Sequence, residues 1–317
     1  MHQVGTRALT RAGTMGLMTD LELDERARIW VESQTRSSIA AVTEMGGGIT
    51  NTKWKVRLSR GDPVVIRWSD PAVWAEKGRD HVQREAAACR LLATSDVLLP
   101  RLIATDGYGD VAGAPANLMT WQPGSPRLDP LGTTAVHELA RLAVAIHRHP
   151  VPVQDRAPTF SYRCPASPEV PDWARRPALW RRAIDIWKAG APPTPYGLLH
   201  RDFHLGNILW DGDQVTGVVD WAEMSWGPAD LDVAHICADF AMLHTLADAD
   251  AFRTSYQALG GVLDRDLDGN RFWIVSDILG FLPDPAHILP GLAGARPDVR
   301  PDDVRFGLEE LLERTLS

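Results

Sequence analysis

The periodicity of the apolar residues changes once along this chain, and that change limits the architecture more than any other feature. In the first third the apolar residues alternate with polar ones. Thr52-Lys53-Trp54-Lys55-Val56-Arg57-Leu58 and Val64-Val65-Ile66-Arg67-Trp68 point side chains to two faces in turn, with Ser59-Arg60-Gly61-Asp62 as the turn between them. From Thr133 onward the repeat is three and four: Val136, Leu139, Ala140, Leu142, Ala143 and Ile146 fall on one helical face. Pro123-Gly124-Ser125-Pro126 separates the two regimes and reads as a linker. Strands gathered first and helices after them exclude an alternating βαβ sheet and predict an α+β chain of two lobes. The 317 residues suffice for both. A loose tail is expected over residues 1–18, a sheet lobe over 19–121 and a helical lobe over 122–317.

The finer pattern fills in both lobes. Thr19 or Asp20 is placed to cap a helix through Leu21, Leu23, Ala27, Ile29 and Trp30. Ala40-Ala41-Val42, Leu102-Ile103-Ala104 and Asn117-Leu118-Met119-Thr120-Trp121 read as further short strands, and residues 80–93 as one helix packed by Val82, Ala86, Cys89 and Leu92. In the second lobe, residues 173–188 read as a helix with Trp180, Ile184 and Trp187 on one face. Asn207-Ile208-Leu209-Trp210 and Val215-Thr216-Gly217-Val218-Val219 flank Asp211-Gly212-Asp213, the signature of a hairpin embedded among helices.

Charge and cysteine content remove whole classes of function. Lys+Arg is 33 against Asp+Glu 41, a formal charge of −8 that argues against a general nucleic-acid binder, which needs a basic surface. Cys89, Cys164 and Cys237 form no CxxC pair or His/Cys cluster, so neither a disulfide framework nor a structural zinc site is expected. No apolar run approaches the ~18 residues a membrane span needs, and residues 1–20 carry no signal-peptide pattern. The expectation is a cytoplasmic protein, monomeric or a weak homodimer.

The densest polar stretch is His200-Arg201-Asp202-Phe203-His204-Leu205-Gly206-Asn207, followed by the hairpin and then Asp220. Moving a phosphoryl group from a nucleotide requires a carboxylate for the attacking hydroxyl, oxygen ligands for Mg²⁺, and cations for the donor phosphates. Asp202 and Asn207 lie five residues apart in one loop, and the hairpin can bring Asp220 back beside Asn207. Asp202 then serves the hydroxyl, while Asn207 and Asp220 hold metal.

The block HRDFHLGNILW…GVVDWAEMSWGPADLDVAH resembles the catalytic core of the aminoglycoside phosphotransferase family, small-molecule kinases of the protein-kinase-like fold, over roughly residues 40–280. The resemblance implies a small antiparallel sheet lobe with one helix, and a mostly helical lobe with an embedded β-hairpin. It implies Asp202 as catalytic base, Asn207 and Asp220 as Mg²⁺ ligands, His200 as a brace of the loop, and Asp232 as its support. Gly46, Gly47 and Gly48 would lie over the phosphates of ATP or GTP, where missing side chains let backbone N–H groups approach. Arg67, where the family more often has Lys, would be the cation that bridges the donor phosphates to Glu85 on the following helix. Met119, Thr120 and Trp121 would offer backbone hydrogen bonds to adenine. The acceptor would be a hydroxyl on a small molecule: an antibiotic such as an aminoglycoside or macrolide, or a metabolite such as choline, homoserine or a sugar.

Other signals carry less. Asp264-x-Asp266-x-Asp268-Gly269 opens like a calcium loop, but Val275 stands where the bidentate Glu belongs. Glu223 lies near where an acceptor would dock, and Asp277 and Asp284 are further acidic candidates. A protein kinase would carry Lys at His204, Phe-Gly at Trp221-Ala222 and an APE segment, none of which is present. No GxxxxGK[ST] occurs, which removes P-loop chemistry. A non-catalytic binding module should have lost one of Asp202, Asn207 or Asp220, and all three are present.

Overall fold

In a computed structural model of the chain, the described residues are 23–45, 52–69, 71–264 and 267–317. The expected tail and Gly46, Gly47 and Gly48 lie outside them, as do Asp266 and the side chain of Asp268.

Five strands form the sheet of the first lobe: β1 (Ile39–Met45), β2 (Thr52–Leu58), β3 (Val64–Trp68), β4 (Leu102–Asp106) and β5 (Ala116–Thr120). All are antiparallel in the order β1-β2-β3-β5-β4. Alternation sorts their side chains. Trp54, Val56, Ile66 and Leu118 are buried on one face with Ala27, Trp30 and Val31 of helix α1 (Glu25–Thr35). The register sets Lys53 opposite Arg67, Lys55 opposite Val65, and Arg67 and Val65 opposite Asn117 and Met119, all on the other face. Helix α2 (Pro71–Leu91) docks there, where the Asn117 side chain donates to Val82 O and to Glu85 Oε2, both at 2.9 Å.

Two helix starts differ from expectation. α1 begins at Glu25 because the Asp24 carboxylate caps it, accepting from the Arg26 and Ala27 N–H groups. α2 reaches back to Pro71, a residue whose fixed φ suits a first helical position.

After β5 the chain crosses to the second lobe through β6 (Ser125–Pro126), so the expected linker is itself a strand. It pairs with β8 (Ile208–Asp211), which pairs in turn with β9 (Gln214–Val218), the anticipated hairpin. β7 (Gly197–Leu199) pairs with β10 (Ser225–Gly227). The helices are α3 (Thr133–His147), α4 (Pro177–Ala189), α5 (Asp230–Leu243), α6 (Leu246–Ala258), α7 (Leu267–Leu279), the short α8 (Leu289–Leu292) and α9 (Pro301–Leu316). α4 starts at Pro177, not at Trp173, whose ring instead packs edge-on against Trp180 at 5.1 Å. Among the described residues no helix is long and apolar enough to cross a membrane.

α5 organises this lobe. Every one of its residues is buried, including the acids Asp230, Asp232 and Asp239. A helix buried on all sides packs its apolar residues into the core, here with Leu139, Leu142 and Phe252 of α3 and α6. Its acids need partners, because an unpaired buried carboxylate costs several kcal/mol.

Gly124 tests the crossing between the lobes. Its φ is +98°, and a Cβ there would lie 2.4 Å from the Trp210 carbonyl oxygen on β8. Gly124→Ala is expected to destabilise the chain by about 1–3 kcal/mol. Gly132→Ala, where a Cβ meets nothing within 4 Å, should leave the thermal melt nearly unchanged.

Candidate active site

The loop after β7 carries the predicted residues, and its backbone is held by the acids of α5. The Asp232 carboxylate accepts the His200 N–H at 2.8 Å and the Arg201 N–H at 2.7 Å, one on each oxygen. Asp239 accepts the Leu205 N–H at 2.9 Å. Seven residues apart on one helix, the two acids share a face and grip the loop at both ends. Arg201 sits at φ 70°, a left-handed conformation costly for a residue with a Cβ, and this grip sustains it. His147 supports Asp232 from α3, with Nε2 3.1 Å from Oδ2. Burial alone would raise the Asp232 carboxyl; His147 and the backbone donors outweigh burial and hold it below the usual range.

The loop then closes on itself. Asn207 donates its side-chain amide to Asp202 O at 3.0 Å and to Asp202 Oδ2 at 3.2 Å. The Val219 N–H reaches Asn207 O at 2.9 Å, which brings the end of the hairpin, and with it Asp220, back beside Asn207. His200 lies under both segments. Its Nε2 is 3.0 Å from Val219 O and its Nδ1 accepts the Asp202 N–H, a pattern that suits the neutral imidazole favoured by burial. Asp202, Asn207 and Asp220 therefore converge as the sequence suggested.

Basic side chains surround Asp202. Arg163, from the Pro-rich loop before α4, donates to Oδ1 at 2.6 Å and to the Arg201 carbonyl at 2.9 Å. His204 and His235 each approach a carboxylate oxygen at 3.6 Å, and Asp277 holds the far nitrogen of His235 at 3.1 Å. Burial favours the neutral acid, but Arg163 and His204 reverse that and keep Asp202 ionised far below the usual range.

Asp220 links the lobes. Its Oδ1 accepts from Arg67 at 2.6 Å and its Oδ2 from Lys53 at 3.0 Å, while the other arm of Arg67 holds Glu85 at 2.6 Å. The Arg67 and Glu85 side chains are each only 3% exposed. Against the effect of burial, Arg67 and then Lys53 hold the Asp220 carboxyl well below the ordinary range. Asp220, like Arg201, has a left-handed backbone, at φ 67°.

Other predicted residues fall differently. Met119 lies inside the sheet, paired with Val65 and Leu102. The N–H groups of Thr120 and Trp121 donate to Arg101 O and Pro63 O, so these donors are engaged before any adenine arrives. The Trp121 ring is covered by the Lys55 ammonium at 3.7 Å. Glu223 pairs with His81 at 3.1 Å. Asp277 is buried on His235, and Asp284 caps a short 3₁₀ turn and pairs with Arg305, so neither carboxylate stands free for an acceptor. Sequence reasoning did not single out Lys53, Arg163, His204 or His235. The strand alternation that sets Lys53 on the face of Arg67 was a usable signal; nothing local marks Arg163.

The donor set suits a hard cation. The Asp220 carboxylate and the Asn207 side-chain carbonyl are oxygen ligands of the kind Mg²⁺ takes. Among the described residues no group of three or more His, Cys, Asp or Glu could hold a metal, so these groups would complete a shell only with phosphate oxygens and water. That is the usual manner of Mg²⁺.

Comparison with known proteins gives the same direction. The model of the phosphotransferase enzyme family (APH) matches residues 41–272. Hygromycin-B 4-O-kinase of Escherichia coli is 35% identical over 51 residues, which span 16% of this chain and only 15% of that enzyme. Solved structures share the fold, among them two complexes with ADP. A thermostable mutant of aminoglycoside phosphotransferase APH(4)-Ia, in ternary complex with ADP and hygromycin B, aligns with TM-score 0.60 and 16% identity over 91% of this chain and 98% of its own. Spectinomycin phosphotransferase APH(9)-Ia, in complex with ADP and spectinomycin, aligns with TM-score 0.61 and 13% identity over 92% and 96%.

The Asp232 grip makes a stability prediction. Asp232→Asn sets an amide N–H against one of the two loop donors and should cost about 1–3 kcal/mol in urea unfolding at neutral pH. The native carboxyl titrates below the unfolded one, so its contribution is present above about pH 4 and is lost as pH falls further. The gap between wild type and variant should shrink correspondingly in acid.

Proposed function

This chain belongs to the phosphotransferase enzyme family, and from that membership we propose that it transfers the γ-phosphoryl group of ATP or GTP to a hydroxyl of a small molecule, with Mg²⁺. The observation that carries the reading is the closure of the loop: Asn207 bonds Asp202 through its side chain and the residue before Asp220 through its carbonyl. Three oxygen-bearing side chains from two segments are thereby gathered at one place between the lobes.

The acceptor hydroxyl oxygen attacks the γ-phosphorus, the bond from that phosphorus to the β–γ bridging oxygen breaks, and the nucleoside diphosphate leaves. The hydroxyl proton passes to Asp202. An ionised carboxylate held this low is a weak base, so its main work is to orient the hydroxyl, taking the proton late as the alcohol becomes acidic. Asn207 and Asp220 would hold Mg²⁺, which when bound neutralises charge on the donor phosphates. His200, Arg201 and Asp232 keep Asp202 in position without touching substrate.

For the acceptor we propose an antibiotic, of the aminoglycoside or macrolide kind, with a metabolite of the choline, homoserine or sugar kind as the alternative. The binding-module reading is disfavoured by the placement of all three polar groups. A reducing compartment suits the three free, buried cysteines.

The test is nucleotide consumption with amino sugars, macrolides and small alcohols as acceptors. Asp202→Asn should lower kcat by roughly 10²–10⁴-fold while nucleotide still binds. Asp220→Ala should abolish Mg²⁺-dependent nucleotide turnover. Full turnover in Asp202→Asn would overturn the assignment.

A further inference from the structure

We propose that Lys53 of β2, not Arg67 of β3, is the side chain that contacts the nucleotide's terminal phosphates, and that Arg67 is a buried strut holding Asp220 and Glu85 together. This rests on the phosphotransferase reading and divides the labour between its two cations. The two residues are direct partners across the β2–β3 ladder and share one face of the sheet. They meet the same carboxylate on separate oxygens, Arg67 on Oδ1 and Lys53 on Oδ2.

Their surroundings set them apart. One arm of Arg67 lies on Glu85 and the other on Asp220, and its Nε is buried with no acceptor among the described residues. Glu85 is fixed from the other side by Asn117. Turning the whole guanidinium onto a phosphate would strip Glu85 of its counter-charge in the interior, where an uncompensated charge is strongly destabilising, and moving only the Nη2 arm would take it off Asp220. Lys53 is under no such constraint. Its side chain is 19% exposed where that of Arg67 is 3%. Among the described residues its one ion-pair partner is Asp220, and an ammonium has three donors on a flexible stem.

The strand also gives Lys53 a direction along the cleft. Lys55, on the same face, reaches the Trp121 ring at the start of the interlobe crossing. At about 3.3 Å per residue, Lys53 stands about 7 Å farther from that crossing along β2. A nucleotide with its base near the crossing and its phosphates toward Asp220 would present its phosphate end to Lys53.

Calorimetric titration of the full chain with adenosine, AMP, ADP and ATP in Mg²⁺ tests the assignment without an acceptor. Wild-type affinity should rise with phosphate number. Lys53→Met should flatten that rise, weakening ATP and ADP by roughly tenfold or more, with adenosine unchanged and the ligand-free melting temperature nearly constant. Lys53→Arg should restore part of the preference. Arg67→Met should melt much earlier yet keep the preference when titrated in the cold, where it is folded. A Lys53→Met chain that prefers ATP over AMP as strongly as wild type overturns the proposal, as does loss of the preference in a folded Arg67→Met chain. A wild-type chain with no gain in affinity from added phosphates would overturn the phosphotransferase reading and this assignment together.

Discussion

The loop that carries Asp202 has no ladder of hydrogen bonds to define it, and the carboxylates of one buried helix take that place. Asp232 and Asp239 lie in the middle of the helical lobe, where an ionised acid is tolerated only if donors surround it. The donors are the N–H groups of His200, Arg201 and Leu205. Each side meets the other's need: the acids satisfy these loop N–H groups, and the N–H groups, joined at Asp232 by His147, keep the acids from lying bare in the core. The left-handed turn at Arg201 follows from this exchange, and the turn aims Asp202 at Asn207 and the hairpin end. The apolar packing of α5 against α3 and α6 thus sets the position of a polar site above it.

The same rule, applied between lobes, accounts for Asp220. It ends a hairpin of the helical lobe, yet its two oxygens bond cations from neighbouring strands of the sheet lobe. Arg67 also neutralises Glu85, so α2, the sheet and the hairpin meet at one guanidinium. Asp202 is kept ionised by separate partners, Arg163 and His204, with the His235 ring beside them, and all three come from the helical lobe. Two carboxylates near one another each have their own counter-charges, an arrangement that keeps both charged despite their mutual repulsion.

Much of this was legible in one dimension wherever a single face of an element is buried. β2 and β3 begin and end where alternation begins and ends, because a shift by one residue would turn Trp54, Val56 and Ile66 to the wrong side. The convergence of Asp202, Asn207 and Asp220 was legible because a short loop and a two-residue turn leave little freedom in where they meet. Local features misled elsewhere. Trp173 looks helical by spacing, but Pro177 sets the start of α4 and leaves that ring to pack from outside. That the N–H groups of Thr120 and Trp121 are taken by Arg101 and Pro63 cannot be seen along the chain. Arg163 and His235 reach Asp202 from 39 and 33 residues away in sequence, through tertiary packing alone. Lys53 was hidden by a more conspicuous neighbour: Arg67 occupied the expected position, and only the register shows that both cations face the same acid.

The central claim is that the cleft between the lobes is built for a metal-bound nucleotide, with Asn207 and Asp220 on the metal and Asp202 on the side of the acceptor. The most direct measurement is a crystal structure of this chain grown with Mg²⁺ and a non-hydrolysable ATP analogue. The account predicts Mg²⁺ in contact with the Asn207 side-chain oxygen and the Asp220 carboxylate, and the terminal phosphate facing Asp202. An analogue bound outside the cleft, or Mg²⁺ that touches neither Asn207 nor Asp220, would contradict it.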